Sequence, residues 1–396
     1  MSLIERARAM QPSLVEMRRD LHRHPELGFQ EERTARIAAD AVEALGFRVR
    51  RGVGITGVVA ELGNGAGPTV ALRADMDALP IQEEAGVEYA SRSPGVMHAC
   101  GHDAHTTGLV GAAHLLAEEL ALGTLPPGVV RLIFQPSEEG TDEEGKSGAM
   151  RMIADGAMGG VDAVVGLHVS PERPAGKIFV CSGAFMAGAE ELRVTVRGRS
   201  SHAARPELGV DALLLAAQGL VAAKAAANEA LDPGESGVVS FGKLEAGTAG
   251  NIIADRAILY GTLRYFDRDV RARLVAAVTE GFESLEASGA GVTVDVGPGF
   301  PPLLNDEAVT RCVSEALGEL LGDAAVAGCE PEMTAEDFAY LAREAPSVFF
   351  WLGASLPDAR ELHHPRFDID ESVLPVGAAA LAHSAITLLR TLQPGT

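Results

Sequence analysis

Met97-His98-Ala99-Cys100-Gly101-His102-Asp103-Ala104-His105 is the stretch on which the rest of the chain turns. Three histidines, a cysteine and an aspartate fall within eight residues, and Gly101 separates Cys100 from His102. A thiolate and an imidazole two positions apart reach one ion if the backbone between them turns tightly, which glycine permits. By itself the run also fits an ordinary His-rich loop. What favours a metal site is that further ligand-type residues recur downstream, each just after an apolar, strand-like segment. An alanine-rich helix is expected from Thr106 to Leu122, which places the cluster at a helix N-terminus. There the helix dipole favours a thiolate.

Working outward, apolar segments at Gly57–Leu62 and Thr69–Arg73 read as strands, and the second runs into Asp75 and Asp77. In an open α/β sheet, carboxylates just past a strand end lie in the crevice where such sheets place their chemistry. A lone Asp-x-Asp is equally common in turns. The strand Val129–Phe134 leads into Gln135-Pro136-Ser137-Glu138-Glu139-Gly140, and Ala163–Leu167 ends in His168. Neighbouring side chains point in different directions, so of two adjacent glutamates one suits a metal and the other a water. Upstream, Ser2–His24 reads as one amphipathic helix and Glu32–Leu45 as a second.

From about Ala184 the pattern changes. Leu192, Val194 and Val196 alternate with polar residues, a helix is expected over Asp211–Glu229, and strands near Gly237–Leu244 and Arg256–Phe266 follow. Val270, Leu274, Val278, Phe282 and Leu285 mark another helix, and Val292, Val294 and Val296 another strand. The order β-α-β-β-α-β is a split βαβ (ferredoxin-like) unit. The expected division is residues 1–183, an insertion over 184–297, and 298–396 returning to the first domain. That last part holds Glu332–Phe338, a buried strand Ser347–Gly353, the pair His363-His364, and a helix over Ser372–Leu392.

With 396 residues the chain is long enough for two cores. Its 47% hydrophobic and 22% charged content is that of a globular protein. A net charge of −22 and a pI near 4.9 argue against nucleic acid or an anionic membrane as partner. Cys100, Cys181, Cys312 and Cys329 show no paired spacing, which suits a reducing compartment. No signal-peptide core and no membrane-length apolar run is read, so a soluble cytoplasmic protein is expected.

Taken together, Arg73-Ala74-Asp75-Met76-Asp77-Ala78-Leu79-Pro80, the Met97–His105 run, Gln135–Gly140, Gly166-Leu167-His168 and Leu362-His363-His364-Pro365 resemble the dinuclear metallo-amidohydrolases. These belong with aminoacylases and glutamate carboxypeptidase-type metallopeptidases, and the branch resembled includes hippurate hydrolases, indole-acetyl-amino-acid hydrolases and N-acetyl-diaminopimelate deacetylases. The resemblance implies an α/β catalytic domain of mixed sheet, interrupted by a smaller lid that also dimerises. It implies Cys100, His102, Glu139, His168 and His363 as ligands of two divalent ions, and Glu138 as general base. His363 matches the ligand because the family's histidine stands two residues before the proline. His364 is a departure, since a Ser or Asn is more usual there. Asp75 and Asp77 would orient ligands or base. His202 resembles the histidine that reaches a neighbouring subunit's site, and Asn251 and Arg264 match positions that hold the substrate carboxylate.

The implied reaction hydrolyses an N-acyl amino acid (acetyl-, benzoyl- or aryl-acetyl-type) to a carboxylic acid and a free amino acid, in a homodimer or larger homo-oligomer. Zn²⁺ and Mn²⁺ lead as metals, although Co²⁺ and Ni²⁺ suit the same donors. A dipeptidase or carboxypeptidase acting through the same site is the alternative. Two other readings are weaker. A cysteine hydrolase with Cys100 as nucleophile and His102 or His105 as base leaves Glu138, Glu139, His168 and His363 without a role. A catalytically silent binding module leaves the full ligand set unexplained.

Overall fold

The computed structural model describes residues 1–63, 67–358 and 360–393. The chain divides into two compact units. One comprises Met1–Phe185, Leu304–Glu330 and Asp337–Thr396; the other comprises Met186–Leu303 and Pro331–Glu336.

The larger unit is built on an eight-stranded mixed sheet. Its strand order is Arg48–Val53, Gly57–Gly63, Val129–Gln135, Thr69–Asp75, Ala163–Ser170, Ser347–Gly353, Ile178–Phe179, Val326–Ala327. Thr69–Asp75 runs parallel to both its neighbours, and Ala163–Ser170 runs parallel to Ser347–Gly353. All eight residues of Ala163–Ser170 and all seven of Ser347–Gly353 are buried, as in parallel strands covered on both faces. The helices Leu3–Ala9, Gln11–Arg23, Glu32–Ala44, His102–Ala121, Glu307–Leu321 and Leu374–Thr391 join this core through Ala7, Leu14, Val42, Leu109, Val313 and Leu381.

The smaller unit is a four-stranded antiparallel sheet ordered Gly291–Phe300, Gly188–Arg197, Arg256–Tyr265, Gly237–Ala246. The helices Ala212–Glu229 and Arg268–Glu283 supply Leu215, Ala223, Leu274 and Phe282 to its core. Its element order is the β-α-β-β-α-β read from sequence. The short segment Pro331–Glu336 belongs to it as well, with the Ala187 N–H donating to the carbonyls of Glu332 and Thr334.

Several elements differ from expectation. The single helix expected over Ser2–His24 is two, Leu3–Ala9 and Gln11–Arg23. Pro12 lacks an N–H and its ring collides with the carbonyl four residues back, so the first helix stops at Met10. The helix expected from Thr106 starts at His102, four residues earlier than the alanine pattern indicates. The strand Arg48–Val53 and the helix Glu307–Leu321 were not anticipated. Among the described residues one helix, Glu371–Thr391, is long and apolar enough to cross a membrane, but 83% of its apolar window is buried inside the protein. It is a core helix of the larger unit.

Candidate metal centre

Cys100 and His102 flank the turn that starts the helix His102–Ala121. Gly101 lies at φ +88°, a left-handed conformation, and a Cβ there would sit 2.4 Å from Val169 Cγ2. Only glycine meets both demands. The Cys100 sulfur lies 3.3 Å from His168 Nε2, at the end of the strand Ala163–Ser170, and 3.3 Å from His363 Nε2. His363 is at φ +59°, and its main-chain N–H donates to Ala99 O, which ties residues 264 positions apart beside the sulfur. Glu139 Oε1 is 2.8 Å from His363 Nε2.

His102 and His168 each commit Nδ1 to a main-chain carbonyl and turn Nε2 toward the donor set. His102 Nδ1–H donates to Asp77 O (2.9 Å), and His168 Nδ1–H donates to Val169 O (2.7 Å). When neutral, each presents an Nε2 lone pair, the tautomer a metal ligand needs. Two triads of donor atoms result, Cys100–His102–His168 and Cys100–Glu139–His363, with all atoms of each within 4.8 Å of one another. They share the sulfur.

The residues fit divalent cations on their own chemistry. Among the described residues, the buried atom His102 Nε2 has no hydrogen-bond partner. Such orphans are costly unless something else satisfies them. The electrostatics agree. Burial, then Glu139 and Glu138, push the Cys100 thiol well above its ordinary range. His102 goes the same way: burial disfavours its charge, yet Asp75 and Asp77 raise it to about 10. A pocket with this bias stabilises added positive charge. His168 is held neutral by burial and by His105.

Asp77 spans the two halves of the donor set. Its Oδ1 is 3.2 Å from His102 Nδ1, and its Oδ2 accepts from the Glu139 N–H at 3.0 Å. Asp75 accepts from His105 Nδ1–H (2.6 Å) and from Arg73 Nη1 (2.7 Å). His105 Nε2 in turn accepts from the Val169 N–H (2.9 Å), which fixes the strand that carries His168. Glu138 is 6% exposed, and its Oε1 lies 3.4 Å from the Asp337 N–H.

The structure thus brings Cys100, His102, Glu138, Glu139, His168 and His363 together, with Asp75 and Asp77 behind them. His364 stands apart from this set and accepts from the Arg366 N–H at 3.1 Å. In the smaller unit, His202 and Asn251 are exposed neighbours: the Ala203 N–H donates to Asn251 O, and His202 Nδ1 accepts from the Ala204 N–H. Arg264 is half-buried on the strand Arg256–Tyr265, with Nη1 3.3 Å from Met333 O. Sequence reasoning missed His105 as a strut, the buried Arg73–Gln135–Asp337 network, and Arg18, wholly buried between Asp103 and Asp368. An arginine on an amphipathic helix gives no signal of burial, whereas His105 at i+3 from His102 does point to the same helix face.

The chain is similar to known proteins over nearly its whole length. An N-acetyl-L-cysteine deacetylase of Bacillus subtilis is 37% identical, covering 96% of this chain and 89% of its own. An IAA-amino acid hydrolase of Arabidopsis thaliana (ILR1-like 2) is 36% identical over 95% of this chain and 85% of its own. The crystal structure of Bacillus subtilis YXEP, a dinuclear metal-binding peptidase of the M20 family, matches with TM-score 0.84 and 34% identity, covering 97% of this chain and 99% of that one. The pattern of peptidase family M20/M25/M40 runs through residues 71–387. The chain belongs to that family, and is a metal-dependent hydrolase of amide bonds.

Proposed function

We propose that the protein hydrolyses N-acyl amino acids to a carboxylic acid and a free amino acid. One observation carries this reading: two donor triads share the Cys100 sulfur, and the buried carboxylate Glu138 stands beside them. Cys100, His102, Glu139, His168 and His363 would hold two divalent ions, Zn²⁺ or Mn²⁺ before Co²⁺ or Ni²⁺. Bound there, such ions supply Lewis acidity for the scissile carbonyl and lower the pKa of a water toward ~7. Glu138 accepts the water proton and delivers it to the leaving amine. Asp77 keeps His102 and the Glu139 main chain in register through one carboxylate. His202, supplied by a second copy of the chain, donates to the developing oxyanion, and Asn251 and Arg264 hold the substrate carboxylate. This requires a dimer or larger homo-oligomer.

The test is a panel of acetyl-, benzoyl- and indole-acetyl-amino acids beside simple dipeptides, run with chelated enzyme reloaded with each metal. Turnover of acyl amino acids that disappears on chelation and returns with metal supports the reading. Preference for dipeptides would replace it with a dipeptidase or carboxypeptidase. Activity that survives complete metal removal would point to Cys100 as a nucleophile.

A further inference from the structure

We propose that Glu31 is a positioning residue that sets the conformation of the turn carrying Glu138 and Glu139; this rests on the role given to those two residues above. Glu31 lies outside every motif quoted from the sequence, yet it is fully buried. Its Oε1 accepts from the Ser137 N–H at 2.8 Å and from the Phe29 N–H at 3.0 Å, and its Oε2 accepts from Thr56 Oγ1 at 2.5 Å. Three separate segments converge on one carboxylate.

Two of the groups it holds are themselves strained. Ser137 lies at φ +41° and Phe29 at φ +60°, left-handed conformations that cost a non-glycine residue roughly 1–2 kcal/mol each. Such outliers persist only where the surroundings over-determine them. At Ser137 the surroundings are plain. Its N–H is taken by Glu31, its carbonyl accepts from the Gly148 N–H at 2.9 Å, and its Oγ lies 3.2 Å from Gly140 O. Gly28 packs so closely that a Cβ there would stand 2.5 Å from Ser137 Oγ. Ser137 directly precedes Glu138. Were it to relax to negative φ, the backbone carrying Glu138 and Glu139 would rotate, and with it the base and one arm of the Cys100–Glu139–His363 triad.

What the geometry requires at position 31 is an acceptor oxygen facing two main-chain N–H groups. Glutamine keeps one, because its amide oxygen can face Ser137 and Phe29 while the Thr56 hydroxyl turns to accept from the amide nitrogen. Leucine keeps none and leaves the buried Ser137 N–H and the part-buried Phe29 N–H without that acceptor.

The experiment compares Glu31→Leu, Glu31→Gln and wild type by metal affinity in chelator competition, and by kcat and KM on whichever amide the wild type cleaves. Misplacement of a base by about an ångström costs on the order of 10²-fold. Glu31→Leu should therefore lower kcat by roughly 10–100-fold with KM little changed, and should weaken one of the two ions. Glu31→Gln should restore both to within about threefold of wild type. In a Ser137→Gly background, where positive φ carries no penalty, Glu31→Leu should cost less than in wild type. A folded Glu31→Leu protein with wild-type metal affinity and kcat overturns the proposal, as does failure of glutamine to rescue. Should Glu31→Leu not fold, Thr56→Val carries the test. It should show the same signature at a smaller size, and no change would count against the role. The affinity arm needs no substrate, so its outcome stands even if the acyl amino acids prove to be the wrong substrates.

Discussion

At the scale of single residues, Glu138 and the two adjacent histidines give the sharpest expectations. Glu138→Gln keeps shape and polarity but cannot take a proton from water. Turnover should fall by roughly 10²–10⁴-fold with metal content unchanged, as measured by elemental analysis beside kinetics. His363→Ala should bind one ion fewer per chain, whereas His364→Ala should keep the full complement; the reverse result would exchange their roles. Glu31 gives a pH dependence. Burial, reinforced by Asp77 against the hydrogen bonds it accepts, lifts its carboxyl to about 7 from an ordinary 4.5. A raised acid pKa means that the folded chain keeps a proton the unfolded chain has lost. Stability from this group should therefore fall as pH rises between about 4.5 and 7, by at most about 3 kcal/mol, and stay level above. Urea unfolding of metal-free wild type and Glu31→Gln at pH 5 and pH 8 reads the difference, and parallel curves would refute it. The ligand-type residues were legible because Cys and His beside strand ends are chemically conspicuous. Glu31 and Arg18 were not, because burial of a charged side chain depends on partners far away in sequence: Ser137 for one, Asp103 and Asp368 for the other.

Among the elements, the turn at Gly101 concentrates the most consequence in one position. Gly101→Ala would place a Cβ 2.4 Å from Val169 Cγ2 in a left-handed backbone. Loss of about 2–4 kcal/mol in denaturant unfolding is expected, with weakened metal binding, since Cys100 and His102 flank that turn. An unperturbed variant would show that the turn relaxes freely. Elements with strong periodicity were read from sequence with little error, the parallel strand Ala163–Ser170 and the helix Arg268–Glu283 among them. Arg48–Val53 escaped notice because it is a charged edge strand, Arg-Val-Arg-Arg-Gly-Val, whose exposed arginines look like a loop. The helix Glu307–Leu321 carried readable signs, with Asp306 capping the Val309 N–H and Val309, Val313 and Leu317 on one face. Its mixture with glutamates blurred the period.

For the molecule as a whole, the split βαβ insertion was legible as an order of elements, because alternating and helical periods change visibly near Ala184. The return of Pro331–Glu336 to the smaller unit was not, since six residues without periodicity say nothing about their neighbours in space. The proposed sharing of His202 between copies has its own test. Mixing His202→Ala with Glu138→Gln chains under conditions of subunit exchange should restore about a quarter of wild-type activity from two nearly inactive parents, because half the dimers are mixed and each holds one complete site. Heterodimers that form without recovering activity would remove His202 from the neighbour's site. The sheet of the larger unit has a further consequence, for the order in which the protein is made. The fully buried strand Ala163–Ser170 takes its second partner from Ser347–Gly353, about 180 residues later in the chain. At the usual pace of ribosomes, ~5–20 residues per second, that edge waits roughly 10–40 seconds for its mate. Throughout that interval the nascent chain displays an apolar strand ready to pair with another copy, so expression yield should be governed by chaperone supply and translation speed rather than by the stability of the finished enzyme.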